Sequence, residues 1–592
     1  MTTREHNSVV SRRLLLQWGA AGASTGILGP AVAAGALAQG DAEKAESQEL
    51  TIAAQFFSTG ANSGDLAELD PARRGTWGFN MLLWAPLVAP TADAQADPEK
   101  SLATSWEGNA EGTVFTFPLR PEAKFSDGTP ITAHDVVGTI GYLAMMAHNE
   151  AIGIRGNFGA NVKRLLFDIQ GMTDAVANAQ YDPFGTIPVP GVTALDEHTV
   201  QITLEAPSLI FITRLLHAVG VFRPADLESA RELQMDQLDF WTAHAVHSGP
   251  YKLSDAVAGD RYEMTPNEHY FGPAPQLTKI TVKAVGSDPN TLLTVFSSGE
   301  LDAVTVPLVG AAALQALSDP SLTEALLPVT NWVTLQLWMT PNAPLDDEHV
   351  RRAITMAVDR DTLLTILNAG APQPLHEPTN MHRNPAIPAC EDETAAVTPL
   401  PFDPAAAKEE LNLSQYGAEV VDMEIHVLSR EPADLVPLQA IQKMLQDNLG
   451  LTKVTIHTEQ VPDLNNPPFP LHLWPNQQQP WFADIADTLW NMAFLMNDQE
   501  WTPDEPRRNI SVAYEPDLKA LIAQAQAESD AAARCALVGQ AGQMWNDVAF
   551  SLDYGVPVTY FLINPRIEGL TFFTNGFQGM PIDIEQVFVA AD

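Results

Sequence analysis

At 592 residues the chain exceeds what one hydrophobic core fills well, so two or more lobes are expected. Hydrophobic residues make up 45%, which supports globular packing and excludes an extended disordered chain. Its 32 Lys and Arg stand against 73 Asp and Glu, a formal charge of −41, and a surface of that sign repels nucleic-acid phosphates and anionic lipid headgroups, which argues against either as a partner.

In chain order, the first forty residues read as an address. Arg12-Arg13 opens a stretch that then stays uncharged to Gln39, is mildly apolar, and ends in Ala36-Leu37-Ala38. A charged n-region, an h-region and an A-x-A site follow one another, and the paired arginines resemble a twin-arginine (Tat) export signal spanning residues 1–38. Gly19, Gly22, Gly26, Gly29, Pro30 and Gly35 make the stretch a poor spanning helix, and no cysteine at the cleavage site invites a lipid anchor.

Beyond the address, strand-like runs alternate with amphipathic helices, the pattern of α/β lobes. Thr132 and Asp135 make a capping box ahead of the stripe Val136, Val137, Ile140 and Leu143. From Asp347, the residues Val350, Ala353, Ile354, Ala357 and Val358 recur at helical spacing, and that helix is expected to run to Gly370. Leu438, Ile441 and Leu445 mark a helix ending near Gly450, before a strand at Val454-Thr455-Ile456. Two further stripes follow, at Leu518, Leu521, Ile522 and Ala525 and at Leu537, Val538, Ala541 and Trp545. Pro-rich stretches at 371–401 and 461–480 interrupt the regularity and suit functional loops. The tail from Pro581 to Asp592 could add a closing strand to the first lobe. Cys390 and Cys535 are the only cysteines, so neither a CxxC motif nor a thiolate zinc site exists, and whether they pair is open.

Several blocks, in order, carry a resemblance. They are Leu69-Asp70-Pro71, Leu83-Trp84-Ala85-Pro86-Leu87-Val88, Phe115-Thr116-Phe117-Pro118-Leu119-Arg120 and Lys124-Phe125-Ser126-Asp127-Gly128-Thr129-Pro130-Ile131. Ser248-Gly249-Pro250-Tyr251, Ser298-Gly299-Glu300-Leu301-Asp302-Ala303 and Val350-Arg351-Arg352-Ala353-Ile354 continue them. Together they resemble the family 5 extracellular solute-binding proteins, the group that includes dipeptide- and oligopeptide-binding proteins. The resemblance implies an α/β, two-lobed periplasmic-binding-protein fold of class II, with a hinge between lobes and an extra subdomain in the first. The first lobe is expected at 48–84, 190–285 and 553–592, the subdomain at 85–189 and the second lobe at 286–552. It further implies an extracytoplasmic monomer without cofactor or nucleic acid, which closes on a small-molecule or peptide ligand and serves the membrane permease subunits of an ABC importer.

Peptide-binding members hold the ligand's α-ammonium with an Asp that follows a Trp. Trp481-Phe482-Ala483-Asp484 fits that shape and nominates Asp484, with an extended ligand docking beside Ala483 and side-chain pockets at Trp481 and Phe482. From the first lobe, Ser58, Thr59 and Gly60 follow the first strand, and Arg383 could meet a ligand carboxylate. His376, Glu377 and His382 follow no metal-ligand spacing, so no metal site is expected. Beyond the leader-like segment, where Gly22-Ala23-Ser24-Thr25-Gly26 follows no strand, the sequence has no HExxH, GxSxG, Walker or Rossmann motif, so the rival reading of an exported enzyme has no motif to carry it. Within the binding class, a sugar, a nickel complex or another amine remains the alternative ligand.

Overall fold

The computed structural model describes residues 43–53, 81–91, 95–151, 166–208, 211–216, 219–233, 235, 240–241, 245–257, 260–285, 288–308, 310–330, 335–378, 390, 392–393, 396–429, 434–458, 469–476, 515–528, 530–574 and 579–591. One twelve-stranded mixed sheet runs through it. In chain order its strands are β1 (Glu49–Ala53), β2 (Tyr251–Val257), β3 (Arg261–Pro266), β4 (Lys279–Lys283), β5 (Ala303–Leu308), β6 (Leu326–Thr330), β7 (Leu335–Met339), β8 (His376–Glu377), β9 (Ile425–Leu428), β10 (Val454–His457), β11 (Leu473–Asn476) and β12 (Ser551–Ile563). Their spatial order is β10-β9-β11-β7-β12-β5-β1-β4-β3-β2, with β6 and β8 also paired to β12.

The two ends of this sheet belong to two lobes with separate cores. On the first-lobe side, β1 lies parallel to both β4 and β5, and its Leu50 and Ile52 enter a core with Tyr262, Ile280 and Val282. A separate four-stranded antiparallel sheet is built from Glu107–Gly108, Val114–Pro118, Val192–Asp196 and Thr199–Thr203 and backed by helix α1 (Ala133–Ala151), so it draws on residues on both sides of the expected subdomain boundary at 189. Asp135 caps α1 as expected: its carboxylate accepts from the Thr132 backbone N–H at 2.8 Å and from the Thr132 hydroxyl at 2.9 Å. The Asp-Gly turn before it also forms, with Gly128 at φ 86° and its N–H bonded to the Phe125 carbonyl.

The Ser-Gly-Pro-Tyr block proves to be a joint between segments. The Ser248 hydroxyl accepts from the Ala85 N–H at 2.8 Å and donates to the Val221 carbonyl. Asn267 donates to the Gly249 carbonyl at 2.9 Å, and Gly249 packs so closely on Leu82 and Leu83 that any Cβ would overlap their backbone. Beside this joint the rings of Trp84, Phe222, Trp241 and Tyr142 pack mostly edge to face, and His247 lies 4.8 Å from Trp84.

In the second lobe the expected single helix from Asp347 to Gly370 is two helices, α2 (Glu348–Met356) and α3 (Arg360–Leu367). The break follows from a second cap, since the Asp359 carboxylate accepts from the N–H groups of Asp361 and Thr362 and restarts the helix. Helix α4 (Leu435–Leu449) stops where expected, with Gly450 left-handed at φ 78°. Helices α5 (Pro516–Ala527) and α6 (Ala531–Val548) carry the two remaining stripes. The tail does return to the first lobe, where Phe588–Val589 pairs with Ile567–Glu568 and Val589 bonds Gln48, although it stays outside the main sheet.

Arg351, from the Val-Arg-Arg-Ala block, is a buried tie between α2 and α6. It donates to the carbonyls of Val548, Leu345 and Asp346 at 3.1, 2.9 and 3.2 Å, and its guanidinium lies 4.6 Å from the Phe550 ring centroid. Burial pushes its pKa down to about 10. Arg351→Met should therefore cost about 3 kcal/mol, because it strands three buried carbonyls while keeping much of the side-chain volume. Urea unfolding would measure this, and a loss below about 1 kcal/mol would show that the tie contributes little.

The lobes are joined by β12 and by the β6–β7 pair. Leu326 to Thr330 pair with Leu562 to Val558, and Leu335 to Trp338 pair with Gly555 to Ser551, so β12 carries β6 at one end and β7 at the other. Gly555 sits at this crossing. A Cβ there would lie 2.8 Å from a Leu364 methyl and 3.1 Å from the Glu377 carbonyl, so only glycine lets β8 and α3 approach β12.

Candidate ligand site

The nominated Ser58, Thr59, Gly60, Arg383, Trp481, Phe482, Ala483 and Asp484 all lie outside the described residues, as does His382. The strands that lead into those segments are described, and their register fixes where they point. Strand β1 reaches Ala53 opposite Val304 of β5, and Val304 lies opposite Leu562 of β12. Because β5 runs antiparallel to β12, the C-terminal end of β1 heads toward the middle of β12 from the first-lobe side. Strand β11 approaches from the other lobe: Leu473 lies opposite Met339 and Asn476 opposite Gln336, which faces Asp553. The end of β11 thus also heads toward the middle of β12, and β8 pairs there directly, with His376 opposite Pro557 and Glu377 opposite Val556. The described ends of β1, β8 and β11, each followed in sequence by nominated residues, thus lie around one stretch of the hinge strand, and strand ends are where open α/β sheets bind ligands.

Polar side chains set this stretch. Gln336 is fully buried and donates to an Asp553 carboxylate oxygen at 2.9 Å, while Trp338 Nε1 donates to Gln336 at 2.8 Å. The Ser551 hydroxyl donates to the same Asp553 oxygen at 2.9 Å, and Trp545 Nε1 donates to the Ser551 hydroxyl at 3.1 Å. These bonds fix β7 and α6 to β12 at the level where β11 ends, and a buried carboxylate held by several donors is stiff. Sequence reasoning missed Asp553 and Gln336. The available signal was an acid inside a thirteen-residue, otherwise apolar strand.

Nearer the first lobe, the Tyr560 hydroxyl donates to the Pro374 carbonyl at 2.8 Å, which ties the Pro-rich segment to β12. Burial, with Glu377 nearby, pushes the Tyr560 pKa up to about 12. Burial pushes His376 down to about 4, so it is a neutral ring at ordinary pH, packed against the hinge strand. Among the described residues no three His, Cys, Asp or Glu side chains converge as a metal site, and no helix is long and apolar enough to cross a membrane.

Comparison with known proteins follows this geometry. Residues 97–503 match the bacterial extracellular solute-binding proteins, family 5. Among curated relatives, the periplasmic oligopeptide-binding protein OppA of Salmonella typhimurium is 30% identical over 290 residues, covering 46% of this chain and 47% of its own. The dipeptide-binding protein DppE of Bacillus subtilis is 27% identical over 315 residues, with 50% and 52% covered. The chain spans about half the length of these two relatives. Among solved structures, the unliganded open form of the periplasmic murein tripeptide binding protein MppA superposes with a TM-score of 0.70 at 20% identity, covering 93% of this chain and 99% of the other. A clavulanic acid biosynthesis oligopeptide binding protein gives the same TM-score at 21% identity, with 93% and 97% covered. The two-lobed binding-protein fold is therefore shared along nearly the whole chain.

Proposed function

Since the chain belongs to the family 5 bacterial extracellular solute-binding proteins, we propose that it captures a di- or oligopeptide between its lobes and delivers it to the permease subunits of an ABC importer. The observation that carries this reading is the convergence of β1, β8 and β11, from both lobes, on the middle of β12. A ligand that touches segments from both sides of a hinge stabilises the closed state and no other, which is how binding becomes a signal to a transporter. The peptide class is supported by the relatives, whose names specify oligopeptide and dipeptide binding.

In this reading Asp484 takes the ligand's ammonium, Ala483 its backbone, and Trp481 and Phe482 its side chains, with Ser58, Thr59 and Gly60 reaching from the first lobe and Arg383 taking a carboxylate. The first lobe comprises 48–84, 190–285 and 553–592 with the subdomain at 85–189, and the second lies within 286–552, a span whose strands β5 and β6 sit beside β1 and the 558–563 end of β12 and so on the first-lobe side. Residues 1–38 serve as a Tat-type signal peptide, and the mature protein works as an extracytoplasmic monomer without a lipid anchor.

The test is to purify the mature chain, release its bound solute under denaturing conditions and identify it by mass spectrometry, then repeat with Asp484→Ala. Short peptides on the wild type, with affinity weakened about thirtyfold or more in the variant, are expected from removing one partner of a desolvated charge pair. An amine-free solute such as a sugar would keep the binding-protein assignment and sink the peptide reading. Chemical turnover of an added peptide would instead favour an exported enzyme.

A further inference from the structure

At the outer edge of the second-lobe sheet, three strands from the hinge strand, β9 lies parallel to β10 with His426 opposite Thr455 and Leu428 opposite His457. Strand alternation places His426 and Leu428 on one face, so His426 and His457 share it. Their rings meet end to end, with His426 Nδ1 3.0 Å from His457 Nε2. The other nitrogen of His426, Nε2, lies 3.5 Å from the Glu424 carboxylate. His457 stacks on Phe469 with centroids 3.7 Å apart, and His426 stacks on His472 at 5.6 Å, so neighbours hold both ring planes. His472 is engaged elsewhere: its Nδ1 accepts from the His426 backbone N–H at 3.0 Å, and its Nε2 donates to the Ala343 carbonyl at 2.9 Å.

We infer that His426 and His457 form a two-imidazole site for a divalent transition metal, apart from the ligand cleft, with the Glu424 carboxylate at ion-pair distance from the outer nitrogen of His426 and favouring the ligating tautomer by its charge. A carboxylate that accepts from one imidazole N–H leaves the opposite nitrogen as a lone pair, and this pairing recurs behind metal-bound histidines. The 3.0 Å contact between the rings takes one proton, and the Glu424 charge on the Nε2 side of His426 assigns it to His457 Nε2 when no metal is bound. Metal binding moves that proton to His457 Nδ1 through solvent. Both facing nitrogens then ligate, and no net proton is released.

The spacing also selects the metal. With metal–nitrogen bonds of about 2.05 Å, a nitrogen separation of 3.0 Å corresponds to an angle of about 94° at the metal. That is the cis angle of square-planar or octahedral coordination; a tetrahedral ion would need about 3.4 Å. A cis pair of this spacing suits Cu(II), which also stands above Zn(II) in the general affinity order of imidazole sites. No third His, Cys, Asp or Glu among the described residues converges here, so water fills the remaining positions and the affinity is moderate. The net charge of −41 raises the local concentration of divalent cations.

The experiment is a Cu(II) titration of the mature chain, purified without a polyhistidine tag, followed by calorimetry and electron paramagnetic resonance. One equivalent of moderate affinity whose spectrum shows two imidazole nitrogens is expected, with Zn(II) binding at least tenfold more weakly. His426→Gln and His457→Gln should each lower Cu(II) affinity at least tenfold and leave one nitrogen. Glu424→Gln should lower affinity about tenfold while keeping two nitrogens, as expected for a residue that acts through a ligand. The nitrogen count on the unaltered chain depends on no variant: fewer than two imidazoles overturns the site. The same affinity and spectrum in the double variant also overturns it.

Discussion

Taking the protein from pH 6.5 to pH 4.5 should cost on the order of 5 kcal/mol of folding stability through two buried histidines alone. Burial, with a smaller contribution from Lys252, pushes His247 down to about 3, and burial pushes His376 down to about 4. In the unfolded chain both titrate near 6.5. Below that pH the unfolded state binds protons that the folded state refuses, so stability is full above about 6.5 and falls as pH drops toward the folded values. Each group contributes a slope of about 1.4 kcal/mol per pH unit in that window. His247 refuses the proton for a visible reason: its ring lies against Trp84, and among the described residues its buried Nε2 has no hydrogen-bond partner.

Burial raises Asp135, Asp168 and Asp302, which bind protons more readily when folded and offset part of the loss at the acid end. A variant separates the contributions. His247→Phe keeps a ring against Trp84 and removes one titrating group, so the slope of stability between pH 6 and pH 5 should drop by about half. Urea midpoints for both proteins at pH 7, 6, 5 and 4.5 would show it. Identical slopes would mean that His247 is solvated and titrates normally.

How much of this was legible depends on the range of the interaction concerned. Caps and stops are local: Thr132 with Asp135 and the left-handed Gly450 were read correctly because the deciding atoms lie within a few residues. The split between α2 and α3 was missed because its cause, the Asp359 side chain, interrupts the helix for too few residues to disturb a 3.6-residue period. The family blocks were legible as a pattern, while their physical jobs became clear only with their partners in place. Ser248 is a joint because Ala85 and Val221 come to it, and Arg351 is a tie because α6 presents the Val548 carbonyl. The histidine pair joins residues 31 positions apart and depends on the register of two parallel strands, to which composition is blind. For the ligand site, the sequence named residues on segments between strands; the fold contributes the strands, which converge from both lobes on β12.

Reducing the Cys390–Cys535 disulfide should lower the stability of the second lobe by about 4–5 kcal/mol. The sequence left the pairing open; the structure makes it, across 145 residues. Closing so long a loop removes much of the unfolded chain's freedom, and the loop-entropy relation puts the effect near the top of the usual disulfide range. The bond also completes a packed seam. Cys535, Gly539 and Gln543 recur every four residues on α6 and form one stripe along it. Glu393 lies against Gly539, where an added Cβ would come within 3.2 Å of the Glu393 Cβ. Gln543 accepts from the Thr398 N–H at 2.9 Å and donates to the Thr398 carbonyl at 3.2 Å. Among the described residues, the close approach, two amide contacts and the burial of Val397 help hold the segment without the bond, and each such hydrogen bond contributes only about 1 kcal/mol net. Urea unfolding of the oxidised and the fully reduced chain, monitored by tryptophan fluorescence, should therefore show one transition shifted to lower denaturant after reduction. Trp338, Trp474 and Trp545 lie in the same core as the bridge and report on it. Coincident curves would mean that the seam holds without its covalent link. A shift of the expected size would mean that the second lobe reaches full stability only in an oxidising compartment, the setting of the proposed extracytoplasmic role.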